Sequence, residues 1–300
     1  MSGQQRRRRI VHVVDSFAVG GLENVIVQPI NRLLAERFEH VVLSLTIMSD
    51  FKQCITQPDV RFIELHKPAG HAAALFPHIY KLLRKLQPDV VHSCNLAGLK
   101  IAPLSWLARV PLRFHAEHGW EAHDPKGQNP RYRRLRKLYK PSARHYVAVS
   151  KDWDEYLAQA IGAPARRRSL IADGADAHTF APSPCGVAQG VPGCPFAAGQ
   201  HWMVGTVGRL QTVKKQRTPE VVEEGNTGLL VPSDDADAMA QAVWRLYADA
   251  ASARRFAQSA RRQAVKSFGI AAMVHSYERL FSGQRLDESV DIVPGYSGQS

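Results

Sequence analysis

What most constrains this chain is an alternation, sustained from Ile10 to Ala172, of short apolar runs with longer amphipathic stretches. Ile10–Val14, Val41–Thr46, Val60–Leu65, Val90–Ser93, Leu112–Ala116, Tyr146–Val149 and Ser169–Ala172 read as strands. Between them the spacing predicts a helix opened by Gly20-Gly21 and running to Leu34, with Val25, Ile26, Ile30, Leu33 and Leu34 on its apolar face. Further helices are expected at Leu75–Leu86, which Pro88 ends, and at Leu96–Leu107, Arg131–Lys140 and Asp152–Ile161. Strands alternating with helices build βαβ units around a parallel sheet. The expected architecture is α/β, a complete N-terminal Rossmann-like, doubly wound domain over residues 9–181.

The pattern then fails. Residues 182–200 are rich in Pro and Gly, lack periodicity, and read as a linker. A buried-type strand follows at Met203–Val207, a bend at Gly208, and two cations, Arg209 and Lys214, on the loop beyond. At Gln216–Arg217 the text changes register, and what should open a long second domain reads as its ending. Only a short strand at Gly228–Val231 and three helical stretches remain before a polar tail at 285–300, expected to be disordered. Pro232-Ser233-Asp234 should cap the first of these helices, with Met239, Val243 and Leu246 on its core face; the others cover Ser252–Lys266 and Ile270–Phe281. Two strands cannot form a sheet covered on both faces. Residues 201–284 are therefore expected to be a truncated second Rossmann-like domain with C-terminal helices.

Thirty-nine basic against 27 acidic residues give a net charge of +12, which attracts polyanions without choosing among nucleic acid, anionic lipid and phosphorylated substrates. No run approaches the roughly 18 apolar residues of a membrane span, and the basic start followed by a brief apolar run is not a secretory signal. Residence in the cytosol is the expectation. Cys54, Cys94, Cys185 and Cys194 fit reduced thiols with structural or incidental roles, and the spacing of the last two matches no common zinc pattern.

Ligands of open parallel sheets bind beyond the carboxyl ends of the strands, and four groups of residues belong there. Gly20 and Gly21, at a helix start, let backbone amides approach an anion, or form an ordinary turn. His118, in HAEHGW after a strand, stands ready to hydrogen-bond a hydroxyl or phosphate or to act as acid or base, and a plain loop histidine is the alternative; His115 should face the sheet core. The helix RYRRLRKLYK should turn Tyr132, Leu135, Leu138 and Tyr139 inward and six cations outward: Arg131, Arg133, Arg134, Arg136, Lys137 and Lys140. These make either a solvated face or a docking face for anionic lipid. Arg209 and Lys214 suit a diphosphate, one clamping in a plane and the other acting as a point charge, though surface cations are common. SDDAD at 233–237 reads as helix capping, and no metal site is expected.

Together HVVDSFAVGGLENVIV, HAEHGW, HYVAVS, VGTVGRLQTVKKQ and PEVVEEGNTGLLVP resemble family 4 glycosyltransferases of the GT-B type, over residues 9–216 and 219–281. They look closest to the sugar transferases of bacterial exopolysaccharide and PEP-CTERM export systems. The resemblance implies two Rossmann-like domains, acceptor on the first and nucleotide sugar on the second. It also implies hexose transfer, usually with retention and without a metal or other cofactor, to a polysaccharide or lipid-linked acceptor. His118 would contact the transferred sugar; Arg209 and Lys214, with the Gly20-Gly21 loop, would hold the diphosphate. The last helix would cross back onto the first domain. An Asp-Gly-Ala-Asp at 173–176 stands where the family usually has Asn-Gly-Val-Asp. The family's Glu-x7-Glu pair, which holds the donor's sugar and ribose, has no counterpart here. An internal deletion with impaired activity is therefore expected, a non-catalytic acceptor-binding or membrane-docking module being the alternative. No nucleic-acid partner is expected; attachment to the inner face of the plasma membrane is the companion to cytosolic residence.

Overall fold

The computed structural model describes residues 6–68, 70, 72–121, 124, 127–182, 202–205, 218–284 and 286. They fall into two compact units. One joins the chain up to Gly174 with the stretch that resumes at Ile270, and the other runs from Ala175 to Gly269.

The first unit is built on seven parallel strands: β1 (Arg8–Val14), β2 (Phe38–Ser44), β3 (Arg61–Glu64), β4 (Val90–Cys94), β5 (Leu112–Glu117), β6 (His145–Ala148) and β7 (Arg168–Leu170). Their order is β3-β2-β1-β4-β5-β6-β7, so the winding reverses between β1 and β4. In open parallel sheets such a reversal is where ligands bind, beyond the carboxyl ends of the two strands. The connecting helices are α1 (Gly21–Arg32), α2 (Phe76–Leu86), α3 (Asn95–Leu99), α4 (Ala102–Leu107), α5 (Pro130–Tyr139) and α6 (Lys151–Glu155), the last widening into a π-turn at Tyr156–Ile161. One face of the sheet packs Val11, Val13, Val41, Leu43 and Val91 against Ile79 and Leu83 of α2. The other packs Ile10, Val90 and Phe114 against Val25 of α1 and against a late helix, α10 (Ile270–Phe281). Met273, Tyr277, Leu280 and Phe281 of α10 are all buried, each worth about 1.5–3 kcal/mol of apolar transfer.

Two expectations need correction here. The helix over Leu96–Leu107 is broken into α3 and α4, because Pro103 has no N–H to donate and fits only the first turn of a new helix. α1 stops at Arg32 and leaves Leu34 exposed. The final helix, counted above with residues 201–284 and expected to cross back onto the first domain, packs in the first unit. Of the tail at 285–300, only Leu286 is described, and it packs against the core cluster that includes Phe281.

In the second unit the described elements are α7 (Thr218–Val221), α8 (Ala236–Ala248) and α9 (Ala250–Ser267). Residues 203–205 carry no regular structure and 206–207 lie outside the described residues. Gly228 makes only an isolated bridge with Glu224. Neither expected strand forms among the described residues, since an extended segment without neighbours leaves its backbone groups unpaired. Asp235, not Ser233, caps α8, accepting from the Ala238 amide at 2.8 Å. Met239, expected inward, is 54% exposed. No residue of this unit whose side chain is described is buried.

Candidate active site

The carboxyl edge of β1, β4 and β5 gathers the chemistry. β1 runs into a loop pinned to the extension of β2: the amides of Leu45 and Thr46 donate to the carbonyls of Val14 and Asp15, and Phe17 N–H to Ile47 O at 2.9 Å. Phe17 is wholly buried, so the loop delivers Gly20 rigidly to the N-terminus of α1. Gly20 is extended (φ −168°) and the Glu23 carboxylate folds over it; a Cβ there would sit 2.1 Å from Glu23 Oε2. An anion arriving at this helix end therefore meets a carboxylate already in place.

Asn95, directly after β4, adopts a left-handed conformation (φ 53°), which Asn tolerates better than most residues. Its side-chain oxygen accepts the backbone N–H of His118 at 2.8 Å, tying the β4 and β5 termini together. Replacing Asn95 with Ala removes this bond and leaves a Cβ residue in a strained backbone. A stability loss of about 1–3 kcal/mol is expected, to be read by urea denaturation.

His118 is nearly buried, and its Nδ1 lies 3.5 Å from Asp173 Oδ1. Asp173 belongs to the 173–176 motif and was not singled out by the sequence; its position where the family has Asn was the available signal. Beyond His118, Trp120 stacks on Trp153 with ring centroids 3.9 Å apart, and Asp124 accepts the amides of Gln128 and Asn129 at 2.8 and 3.1 Å. Asn129 then caps α5.

α5 overturns the expectation of six outward cations. Arg131, Arg134 and Lys137 are exposed, but Arg136 is 2% exposed and pairs with the wholly buried Glu117 through Nε–Oε1 (2.6 Å) and NH2–Oε2 (3.3 Å). Its guanidinium also lies over the rings of Trp153 and Tyr156. Burial alone would raise the Glu117 pKa; the Arg136 charge and the His115 contact outweigh it and bring the carboxyl down to about 2. Lys140 donates to the carbonyls of Ile161 and Gly162, and Arg133 reaches Gly127 O. Leu138, expected inward, is 68% exposed. His115 is fully buried in the sheet, beside Ser93 Oγ at 3.0 Å.

A row of histidines, unremarked in the sequence, lies on the face covered by α10. His12 Nε2 is 3.1 Å from His40 Nδ1, His12 Nδ1 is 3.1 Å from His92 Nδ1, and His92 Nε2 is 3.7 Å from Cys94 Sγ. Burial pushes His40 down to about 4 and His92 down to about 3, and drives His12 well below the usual imidazole value. All three are neutral near pH 7. Arg209 and Lys214 lie outside the described residues, as do Cys185 and Cys194. Among the described residues no helix is long and apolar enough to cross a membrane.

A doubly wound sheet whose carboxyl edge presents a buried histidine, an adjoining carboxylate and a glycine-opened helix defines a Rossmann-like α/β protein with its candidate site at the β1–β4 reversal. Residues 19–179, more than half of the chain, match the model described as Glycosyltransferase Family 4, and the chain belongs to that family. Its fold is similar to that of HepE from Anabaena, solved in complex with UDP and glucose (TM-score 0.70, 16% identity, covering 92% of this chain and 100% of that one). It is also similar to sucrose-phosphate synthase from Thermosynechococcus elongatus (TM-score 0.66, 15% identity, 92% and 99% covered) and to a glycosyltransferase from Rickettsia africae (0.63, 14%, 92% and 98%). No curated protein matches the sequence.

Proposed function

We propose that this chain is a hexosyltransferase by descent, built to move a sugar with retention from a nucleotide donor to a polysaccharide or lipid-linked acceptor of an exopolysaccharide or PEP-CTERM system. In it the donor half has been impaired by an internal deletion at Gln216–Arg217. His118 would meet the transferred sugar, with Asp173 orienting it, and Gly20 and Gly21 would face the diphosphate or the acceptor. Arg209 and Lys214 would grip the departing diphosphate, where preorganised cations stabilise the charge that develops. The family membership and the UDP and glucose bound by HepE support the substrate class. One observation carries the impairment: no residue of the second unit with a described side chain is buried. A nucleoside pocket needs a walled, mostly apolar concavity, and an uncored helix pair does not supply one. Incubation with UDP- and GDP-sugars, following nucleotide release, is expected to show no turnover above the blank. Release at roughly 1 s⁻¹ or faster, within the ordinary enzyme range, would overturn the impairment.

A second reading, docking to an anionic membrane, is favoured by the exposed Arg131, Arg134 and Lys137 beside the exposed Leu138. Three cations at about 1 kcal/mol each correspond to a roughly hundredfold preference for phosphatidylserine over phosphatidylcholine vesicles. Flotation should show that preference, and the triple Glu variant should lose it. Equal flotation of both proteins would end this reading.

A further inference from the structure

We propose that His92, Cys94 and His118 form a binding site for one Zn²⁺ ion, with a water as the fourth ligand. This departs from the expectation of no metal, and it does not rest on the transferase reading.

The three residues are buried, and one ligand atom from each lies within 4.8 Å of the others. At Zn–N distances of about 2.0–2.1 Å, a Zn–S distance of about 2.3 Å and tetrahedral angles, a nitrogen and a sulfur ligand stand about 3.6 Å apart. His92 Nε2 and Cys94 Sγ are 3.7 Å apart, so this pair is already spaced for an ion between them. His118 supplies the third ligand from the β5 terminus, held in place by the Asn95 bond to its backbone. Asp173 Oδ1, 3.5 Å from His118 Nδ1, lies outside this three-residue set; its side chain is 31% exposed, against 2% for that of His118, so solvent reaches this side and a water would take the fourth position.

The surroundings complete the arrangement. A ligating imidazole needs its other nitrogen to carry the proton and to donate it to a fixed acceptor. His92 Nδ1 faces His12 Nδ1 at 3.1 Å, and His12 Nε2 faces His40 Nδ1 at 3.1 Å. With His92 donating to His12 and His12 donating to His40, every proton points away from Cys94, and the Nε2 lone pair of His92 is turned toward the sulfur. One thiolate and two imidazoles favour Zn²⁺ over Mg²⁺ and Ca²⁺, which take oxygen ligands. Binding breaks the Cys94 S–H bond, forms a Zn–S bond and releases one proton to the solvent. The bound ion would also immobilise His118 and take it away from the sugar contact proposed above, so the metal-bound and sugar-contacting states are alternatives.

The test uses the full chain after dialysis against a chelator. Titration with Co²⁺ is expected to produce a thiolate-to-cobalt charge-transfer band saturating at one equivalent, abolished by one equivalent of Zn²⁺ and untouched by excess Mg²⁺. Equilibrium dialysis with Zn²⁺ should show this equivalent lost in Cys94→Ser but retained in Cys54→Ser. The cobalt spectrum of the unsubstituted protein decides the matter whether or not Cys94→Ser folds. A spectrum without the thiolate band, or Zn²⁺ binding unchanged in a folded Cys94→Ser, overturns the proposal.

Discussion

Taking the chelated, metal-free protein from pH 7.5 to pH 5.5 is expected to cost the first unit about 4 kcal/mol of stability through His12, His40 and His92 alone. All three are 1% exposed, and burial holds their folded pKa values below 6.5, at about 4 for His40 and about 3 for His92. In the unfolded chain they take up protons as the pH falls through about 6.5, so protonation favours the unfolded state. Their contribution is complete above that value, declines by about 1.4 kcal/mol per histidine by pH 5.5, and goes on declining until the folded form itself protonates. Ordinary carboxylates do not yet titrate in this window, which makes the histidines separable from general acid effects. The Glu117 contribution has the other signature: with a folded pKa of about 2 it persists down to the usual carboxylate range and is lost only below it. Urea midpoints at the two pH values measure the effect; His145, which burial also holds down at about 4, adds to the same slope, and replacing His40 with Phe should remove about one histidine's share of it. A midpoint unchanged between pH 7.5 and 5.5 would show that the row is not buried and neutral.

The second large effect is expected from Glu117→Gln. With Glu117 wholly buried and Arg136 2% exposed, removing one charge strands the other in a low-dielectric interior, at a cost of about 3–5 kcal/mol. Because a buried ion pair gains little over well-packed neutral groups, the double variant Glu117→Gln/Arg136→Met should recover much of that loss. Guanidinium denaturation of the four proteins of this cycle provides the measurement. A loss under 1 kcal/mol in the single variant would mean that water reaches the pair.

The two effects mark where sequence reading stopped. The strands were legible because a parallel sheet buries both faces, so Ile10–Val14 and Val90–Ser93 stand out as nearly unbroken apolar runs. His12 and His92 break those runs, and a period of two assigns each to a face of its own strand. That the two faces coincide follows from β1 lying beside β4, across 80 residues of chain. Arg136 failed for another reason: a helix reading RYRRLRKLYK has cations on most of its circumference, so periodicity alone cannot single out the one that turns inward. The acid that selects it stands 19 positions earlier, on β5. His118 was legible as a candidate from its place after a strand; its neighbours Cys94 and Asn95, at the end of β4, and Asp173 come from two other chain segments and meet only in the folded sheet. Met239 misled because an apolar helix face predicts burial only where a second layer exists to cover it.

The first unit is assembled from two separate lengths of chain, and their ends meet: a Cβ on Gly174 would lie 2.7 Å from the Cα of Ile270. Everything from Ala175 to Gly269 is thus a parenthesis, leaving and rejoining the scaffold at a single doorway. Closure entropy grows only with the logarithm of loop length, so lengthening or shortening the inserted text changes the fold of its host by little. The sheet and its sealing helix α10 depend on where the inserted text leaves and returns, not on what it contains.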